Sequence, residues 1–205
     1  MSKITTIGLD LAKHVFHVVG CDARGQRVLR KRLRRAQVLG YFSQLPPCRV
    51  GMEACASAHH WAGKLQARGF RVKLIGAQFV KPYVKSNKND QVDAEAICEA
   101  MSRPGMRFVA VKSVAQQDTQ AAHRIREELV GQRTAKANQI RGLVGAYGIV
   151  APKGIQQLRR ALPDWLEDAE NALTVDFRSL LADLAEDLRY LDDRIALLDE
   201  QIAQR

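Results

Sequence analysis

The segment ITTIGLDLAKHVFHVVGCDARGQRVLRKRL, residues 4–33, decides the fold. Residues 4–9 are apolar and rich in β-branched side chains, and residues 14–20 repeat that character after a short turn. Residues 26–33 alternate loosely between polar and apolar side chains after a turn at Arg24–Gly25. Three strands in direct succession predict an antiparallel meander at the start of a sheet.

Beyond this meander, helices and strands alternate along the chain. A helix over 36–45 is stopped by Pro46 and Pro47, and a second helix over 57–69 ends at Gly69, as at a helix C-cap. Residues 48–53 and 70–75 predict short strands, residues 91–103 predict a helix, and residues 107–112 predict a strand or extended link. The order indicates an α/β fold, a mixed sheet with flanking helices.

The C-terminal part of the sequence is helical. A long helix with a basic face is predicted over 115–147, and residues 148–154 break it. Apolar residues then repeat at alternating spacings of four and three, which is typical of a coiled coil: Phe177, Leu181, Leu184, Leu188, Leu191, Ile195, Leu198 and Ile202. An amphipathic helix packed on its own domain is the alternative. We expect two domains: residues 1–148, and a helical linker with a coiled coil over residues 149–205. We also expect the natural protein to be longer, because the heptad pattern reaches the last residues without a helix stop signal.

The distribution of charge indicates the class of partner. Residues 1–150 carry 25 Lys and Arg against 10 Asp and Glu, whereas residues 151–205 carry 7 against 12. Clustered cations are favoured on nucleic-acid surfaces because they neutralise phosphates and release counterions, although a basic domain without such a partner is the alternative. No apolar run approaches the roughly 20 residues that span a bilayer, and the N-terminus lacks a signal-peptide pattern. The four cysteines show no CxxC pairing, so we expect reduced thiols in the cytoplasm, with a zinc site as a minor alternative.

Four carboxylates stand out in the basic part of the chain. Asp10 and Glu53 lie at the ends of predicted strands, and Asp90 and Asp93 share one face at the start of a helix. Ligands gather at the carboxyl ends of strands in α/β sheets, so these acids could meet there. Mg²⁺ prefers such oxygen ligands, and two ions about 4 Å apart can clamp a phosphodiester. A turn residue, a helix N-cap or a surface ion pair is the alternative for each acid taken alone.

Basic side chains flank these acids. Residues 24–35 carry seven cations and no acid, and lysines lead into Asp90. A charged, solvated strand edge is the alternative to a nucleic-acid surface. The predicted nucleic-acid-binding residues are Arg27, Arg30, Lys31, Arg32, Arg34, Arg35, Lys85, Lys88, Arg124, Arg126, Arg133, Lys136 and Arg141.

The histidines do not predict a metal site. His59 and His60 are adjacent on a predicted helix and point in different directions, so they are poorly placed to chelate one ion, and Trp61 indicates that this helix packs into the core. His14 and His17, in an alternating strand, are more readily structural.

Four motifs together resemble one family. These are IGLDLAKHVFHV (7–18), GMEACASAHHWAGKL (51–65), VKSNKNDQVDAEAI (84–97) and HRIREELVGQRTAKANQIRGLVGAYGI (123–149). In this order they resemble the DEDD-type transposases of bacterial insertion sequences, to which the pilin-gene inversion recombinases are related. The resemblance covers nearly the whole chain.

The resemblance implies an RNase H-like (RuvC-like) catalytic domain followed by a coiled coil. It implies that Asp10, Glu53, Asp90 and Asp93 bind Mg²⁺, for which Mn²⁺ would substitute. It also implies that a homo-oligomer, either a dimer or a tetramer, recombines DNA. An RNA encoded by the insertion sequence would guide this reaction. It also implies a bacterial, cytoplasmic, nucleoid-associated protein with no membrane partner. The family's C-terminal serine domain is missing from this sequence, so we expect this chain to be insufficient for full recombination.

Two other function classes are alternatives to this one. A non-catalytic RNA- or DNA-binding oligomerisation module would keep the basic surface but lack metal at the carboxylates. An actin-like sugar kinase or ATPase would require a second glycine-rich phosphate loop, which the sequence does not contain.

Overall fold

The computed structural model describes residues 3–84 and 90–205, with the side chains of Asp90 and Gln91 outside the described part. The chain divides into two compact units, Met1–Ser113 and Val114–Arg205. The long basic helix, which the sequence analysis grouped with the first domain, lies in the second unit. The domain boundary at 148/149 stays a prediction.

The first unit contains a sheet with helices on both of its faces. Its strands are β1 (Thr6–Asp10), β2 (Val15–Cys21), β3 (Arg27–Arg34), β4 (Arg49–Glu53), β5 (Arg71–Ile75) and β6 (Phe108–Val109). Its helices are α1 (Val38–Phe42), α2 (Ala58–Gln66), α3 (Ala77–Val80) and α4 (Asp90–Ser102), with 3-10 turns at Arg35–Gln37 and Lys81–Tyr83.

The strand order of the sheet is β3-β2-β1-β4-β5-β6. The β1–β2 and β2–β3 pairs are antiparallel, as the meander predicts, and β1–β4 and β4–β5 are parallel across helical crossovers. Strand β6 pairs antiparallel with β5. This mixed sheet with flanking helices confirms the predicted α/β RNase H-like fold.

One face of the sheet carries the main core under α1 and α2. Ile7, Leu9, Val50 and Met52 are fully buried there because alternate residues of β1 and β4 point to this face. Trp61 of α2 is 4% exposed and packs edge-on against Phe16, as expected for a core helix. Helix α2 ends at Gln66, three residues before the predicted end, and Gly69 takes a positive φ of 85° in the turn that follows.

Helix α4 covers the opposite face, and glycines allow it to lie very close. A Cβ atom on Gly8 would be 2.1 Å from the carbonyl oxygen of Ala94, and one on Gly51 would be 2.5 Å from the Met101 side chain. Gly8 and Gly51 are register partners in β1 and β4. Together they let the backbone of α4 approach the centre of the sheet.

The second unit consists of three helices: α5 (Val114–Gly145), α6 (Ile155–Glu167) and α7 (Val175–Ala203). The predicted heptad seam of α7 faces the other helices of its own chain, where Phe177, Leu181 and Leu188 are buried in one cluster with Ile140 and Leu158. This is the packing of an amphipathic helix on its own unit. Oligomerisation through α7 stays a prediction.

Helices α5 and α7 run antiparallel to each other, as the ion pairs between them show. Residue numbers fall along α7 as they rise along α5: Arg126 with Asp199, Arg133 with Asp192, and Lys136 with Asp187. Thr174 caps α7 by accepting a hydrogen bond from the backbone N–H of Phe177. Among the described residues, no helix has both the length and the apolar character needed to cross a membrane.

Candidate acidic site at the carboxyl edge of the sheet

The sheet brings Asp10 and Glu53 to the same edge. Asp10 is the last residue of β1 and Glu53 the last of β4, and the two strands are parallel neighbours. Their last paired residues are Leu9 and Met52, so Asp10 and Glu53 occupy the next register position. Both lie on the face that α4 covers, since Leu9 and Met52 point to the opposite core.

Helix α4 brings a third carboxylate to this edge. It begins at Asp90, and its Ala94 carbonyl lies against Gly8, two residues before Asp10 in β1. Burial raises the pKa of Glu53, and the charge of Asp93 raises it further. Asp93 is therefore close enough to Glu53 for the two carboxylates to repel each other. The Asp90 side chain lies outside the described part.

A buried histidine adjoins Asp10. His17 of β2 is the register partner of Asp10, it is 7% exposed, and its Nδ1 lies 3.8 Å from Oδ2 of Asp10. On β3, Arg32 is the register partner of His17. Asp10, His17 and Arg32 therefore follow one another across three strands. A structural role was predicted for His17 from its place in an alternating strand. The hairpin register that brings it beside Asp10 is not visible in the sequence.

The donor set of this edge fits a hard divalent cation. Its oxygens are carboxylates, and burial together with the charge of Asp93 raises the pKa of Glu53, so a positive counter-charge would be favourable here. Over the side chains that the structure describes, which exclude Asp90, no three His, Cys, Asp or Glu residues are already arranged around a common metal position. Metal binding by the four acids stays a prediction.

The adjacent histidines His59 and His60 point in different directions, as the sequence predicts. Nδ1 of His59 accepts a hydrogen bond from the backbone N–H of Lys112 at 3.1 Å, and its pKa is lowered by burial and by the charge of Lys112. The ring of His60 packs edge-on against Trp61. The two imidazoles make different contacts, which favours a structural role.

Comparison with known proteins identifies the family. A family model described as "Transposase", of the DEDD type, matches residues 7–149. The chain is 50% identical over 201 residues to the "Probable family 20 transposase" of Pseudomonas aeruginosa, covering 98% of this chain and 60% of that protein. The chain belongs to the DEDD family of insertion-sequence transposases.

Other transposases are similar over all or nearly all of the chain. The transposase of insertion sequence element IS1328 from Yersinia enterocolitica is 41% identical over 213 residues, which cover 100% of this chain and 63% of the relative. That of element IS1111A from Coxiella burnetii is 42% identical over 202 residues, covering 98% and 56%. The chain thus spans between 56% and 63% of the length of these three relatives.

In this DEDD transposase chain, the basic strand β3 lies at one edge of the sheet, separated by β2 from the strand that carries Asp10. Arg30 and Arg32 pair with Val19 and His17, which places them on the α4 face, whereas Lys31 pairs with the core residue Val18 on the other face. All three cations are exposed. A row of arginines therefore lies on the same face as Asp10 and Glu53.

Some of the predicted nucleic-acid-binding residues of the first unit make contacts within the chain. Arg27 and Arg30 both form ion pairs with Glu95 of α4. The guanidinium of Arg35 lies 5.2 Å from the centre of the Trp61 ring, a cation–π contact. The backbone N–H of Arg34 donates to Gln37. Lys85 and Lys88 lie outside the described residues.

The basic face of α5 lies largely against α7 in this DEDD chain. Arg126, Arg133 and Lys136 form ion pairs with acids of α7, as described above. Arg141 donates to the carbonyl oxygens of Pro152 and Gly154 at 3.2 and 3.0 Å. Arg124 is exposed. The acidic composition of residues 151–205 thus balances part of the basic helix within the second unit.

Proposed function

We propose that this chain is the catalytic part of a DNA transposase or recombinase of an insertion sequence, with Mg²⁺-dependent strand cleavage and exchange. The observation that carries the proposal is that Asp10 and Glu53 end neighbouring parallel strands, and that the start of α4, which contains Asp93, packs against the same face. Family membership supports the reaction class. Because the relatives are longer than this chain, completion of strand exchange by this chain alone is not part of the proposal.

Asp10, Glu53, Asp90 and Asp93 are the proposed ligands of Mg²⁺, for which Mn²⁺ would substitute. When bound, the metal supplies Lewis-acid stabilisation to the oxygens of a phosphodiester. The strand ends fix Asp10 and Glu53, and α4, which begins at Asp90 and contains Asp93, covers the same face of the sheet. The exposed arginines on the same face would hold the phosphate backbone near them, since phosphate contacts set the position of a nucleic acid.

The proposed partners are DNA, a guide RNA encoded by the element, and further copies of the chain joined through α7. The resemblance to the family supports RNA guidance and oligomers, and the exposed basic strand β3 supports nucleic-acid binding. This function implies a cytoplasmic protein associated with the bacterial nucleoid.

Calorimetry of Mn²⁺ binding in the presence of a short DNA duplex tests the metal proposal. Saturable binding is expected for the natural chain and is expected to be lost in Asp10→Asn. Asp22→Asn is the matched control: the Asp22 side chain accepts backbone N–H groups of Arg24 and Gln26 in a turn at the other end of β2, so its substitution should leave binding unchanged. Absence of binding by the natural chain would contradict the proposal.

A nucleic-acid-binding module without catalysis is the second candidate. It is favoured by the exposed arginines of β3, which could bind phosphates whether or not the acids hold metal. Duplex or RNA binding that is unaffected by Mn²⁺ and by Asp10→Asn would support this candidate.

A further inference from the structure

Two cysteine thiols face each other between strand β2 and helix α4. Cys21 ends β2, and Cys98 lies in the third turn of α4. Both are 7% exposed and pack together with Val19 and Ala94. Sγ of Cys98 donates its proton to the carbonyl oxygen of Val19 at 3.3 Å. They remain free thiols, not a disulfide.

The close approach of α4 creates this contact. Gly8 of β1 has no side chain, and a Cβ atom there would be 3.0 Å from Sγ of Cys98. The thiol of Cys98 therefore fills space that a larger β1 residue would occupy. The resulting contact joins two elements that are 77 residues apart in the chain, counting from Cys21 to Cys98.

The surroundings make the two thiols chemically unequal. The neighbouring Cys98 thiol lowers the pKa of Cys21, and the charge of Arg27 lowers it further, against the opposing effects of burial, Asp22 and Glu95. The neighbouring Cys21 thiol, together with burial, raises the pKa of Cys98. Cys21 is thus the thiol that ionises first, and the thiolate is the nucleophilic form of cysteine.

A cavity gives small molecules access to the pair. It has a volume of about 330 Å³, and both cysteines lie in its wall with Arg27, Arg49 and Tyr83. Thr6, at the start of β1, also lines it, so the cavity lies at the sheet edge opposite to Asp10. The thiol pair is therefore separate from the acidic site.

We infer that Cys21 and Cys98 form a thiol modification site that reacts with small hydroperoxides and closes to a reversible disulfide. The Cys21 thiolate attacks one peroxide oxygen, the O–O bond breaks, and the alcohol or water leaves with a proton. Cys21 is then a sulfenic acid. The sulfur of Cys98 attacks the Cys21 sulfur, and the thiol proton of Cys98 leaves with the hydroxyl group as water. Two electrons from the two thiols reduce one hydroperoxide.

The other two cysteines provide controls within the chain. Burial raises the pKa of Cys48 to about 11, so its thiolate is scarce at neutral pH. Cys55 is exposed at the start of the α2 segment, where its sulfur contacts the Ser57 hydroxyl. Neither has a second cysteine packed against it among the described residues.

Treatment of the full chain with hydrogen peroxide, followed by alkylation and peptide mass spectrometry, tests the inference. In the Cys48→Ala/Cys55→Ala variant we expect both remaining thiols to be lost together, with the Cys21 peptide linked to the Cys98 peptide and dithiothreitol restoring both. In the natural chain, Cys21 should react about tenfold or more faster than Cys48. Persistence of the Cys21 and Cys98 thiols after Cys48 and Cys55 are consumed would overturn the inference.

Single variants separate the roles of the two cysteines. Cys98→Ala should leave Cys21 as a sulfenic acid that dimedone traps, and Cys21→Ala should leave Cys98 unoxidised. Should either variant fail to fold by circular dichroism, the natural chain still decides: its oxidised form should melt at a higher temperature than its reduced form, and dithiothreitol should reverse the shift. An oxidised chain with unchanged melting and no Cys21–Cys98 peptide would contradict the proposed disulfide.

Discussion

Asp10 and His17 face each other across the first hairpin, with Nδ1 of the imidazole 3.8 Å from Oδ2 of the carboxylate. The histidine is 7% exposed and lies on the face that α4 covers. A buried side chain in this position limits the directions in which the Asp10 carboxylate can turn. His17 therefore influences how the Asp10 carboxylate is oriented toward a bound metal ion.

We predict that His17 positions Asp10 for metal binding. His17→Ala should weaken Mn²⁺ binding about tenfold or more, the usual effect of removing a partner of a metal ligand. His17→Asn should retain more affinity, because its amide nitrogen can occupy the place of Nδ1. Calorimetry measures both, and His14→Ala, at an exposed residue before β2, is the control. Equal loss in His17→Asn and His17→Ala would indicate a packing role alone.

The strands and the acidic edge could be predicted from sequence because they depend on local patterns. The period of two in residues 4–33 predicts the meander, and the strand ends locate Asp10 and Glu53. The relation of His17 to Asp10 could not be predicted, since a shift of one residue in the hairpin register would turn His17 to the other face.

The basic face of α5 shows a second limit of the sequence analysis. A row of cations has the same sequence pattern whether it faces phosphates or carboxylates. The partners Asp187, Asp192 and Asp199 lie 51–73 residues further along the chain, and only folding reveals them. Helix α3 was also missed: it has four residues, too few to show a helical period.

We predict that Glu53 costs stability at neutral pH when no metal is bound. Its folded-state pKa is raised above the ordinary 4.5 by burial and by Asp93, so the protonated form is favoured in the fold. Protonation of Glu53 therefore stabilises the folded state. This contribution to the free energy of unfolding is fully present below pH 4.5 and is lost as the pH rises through the raised pKa of Glu53. Glu53→Gln should therefore be more stable than the natural chain at pH 7, and the difference should disappear below pH 4.5.

Urea unfolding at several pH values, with a chelator present, measures this difference. Asp93→Asn is the informative companion, because it removes the neighbouring charge and should lower the pKa of Glu53. Its effect should be smaller than that of Glu53→Gln, since burial is the larger cause of the shift. A natural chain that is more stable than Glu53→Gln at pH 7 without metal would contradict the prediction.

Gly8 is predicted to be indispensable for the position of α4. In Gly8→Ala the new Cβ would lie 2.1 Å from the Ala94 carbonyl oxygen, so the helix must move away from the sheet. Overpacking of this kind costs about 1–3 kcal/mol of unfolding free energy. The shift should also weaken Mn²⁺ binding, because α4 carries Asp93.

The control for Gly8→Ala is Gly40→Ala in α1. A Cβ atom on Gly40 meets nothing within 4 Å, and alanine favours a helix over glycine by about 1 kcal/mol. Gly40→Ala should therefore be neutral or slightly stabilising in urea unfolding. Equal stability of the two variants would show that the contact between β1 and α4 is looser than described.

The two faces of β3 should contribute unequally to nucleic-acid binding. Arg32 lies on the face of the acids, next to His17 in the sheet, whereas Lys31 points to the opposite face. The logarithm of duplex affinity falls linearly with the logarithm of salt concentration, and each lost phosphate contact makes this slope less steep by about 1. We expect Arg32→Gln to weaken duplex binding and to reduce this slope by about 1, and Lys31→Gln to leave both unchanged.

Fluorescence anisotropy with a labelled duplex over a range of salt concentrations measures the slopes. Lys136→Gln adds a comparison from the second unit: Lys136 Nζ lies 2.8 Å from Asp187 Oδ2 in an ion pair, so its charge is already partly neutralised within the chain. Its loss should reduce the slope by less than the loss of Arg32. Equal slopes for Arg32→Gln and Lys31→Gln would mean that the duplex does not approach the sheet from the face that carries Asp10.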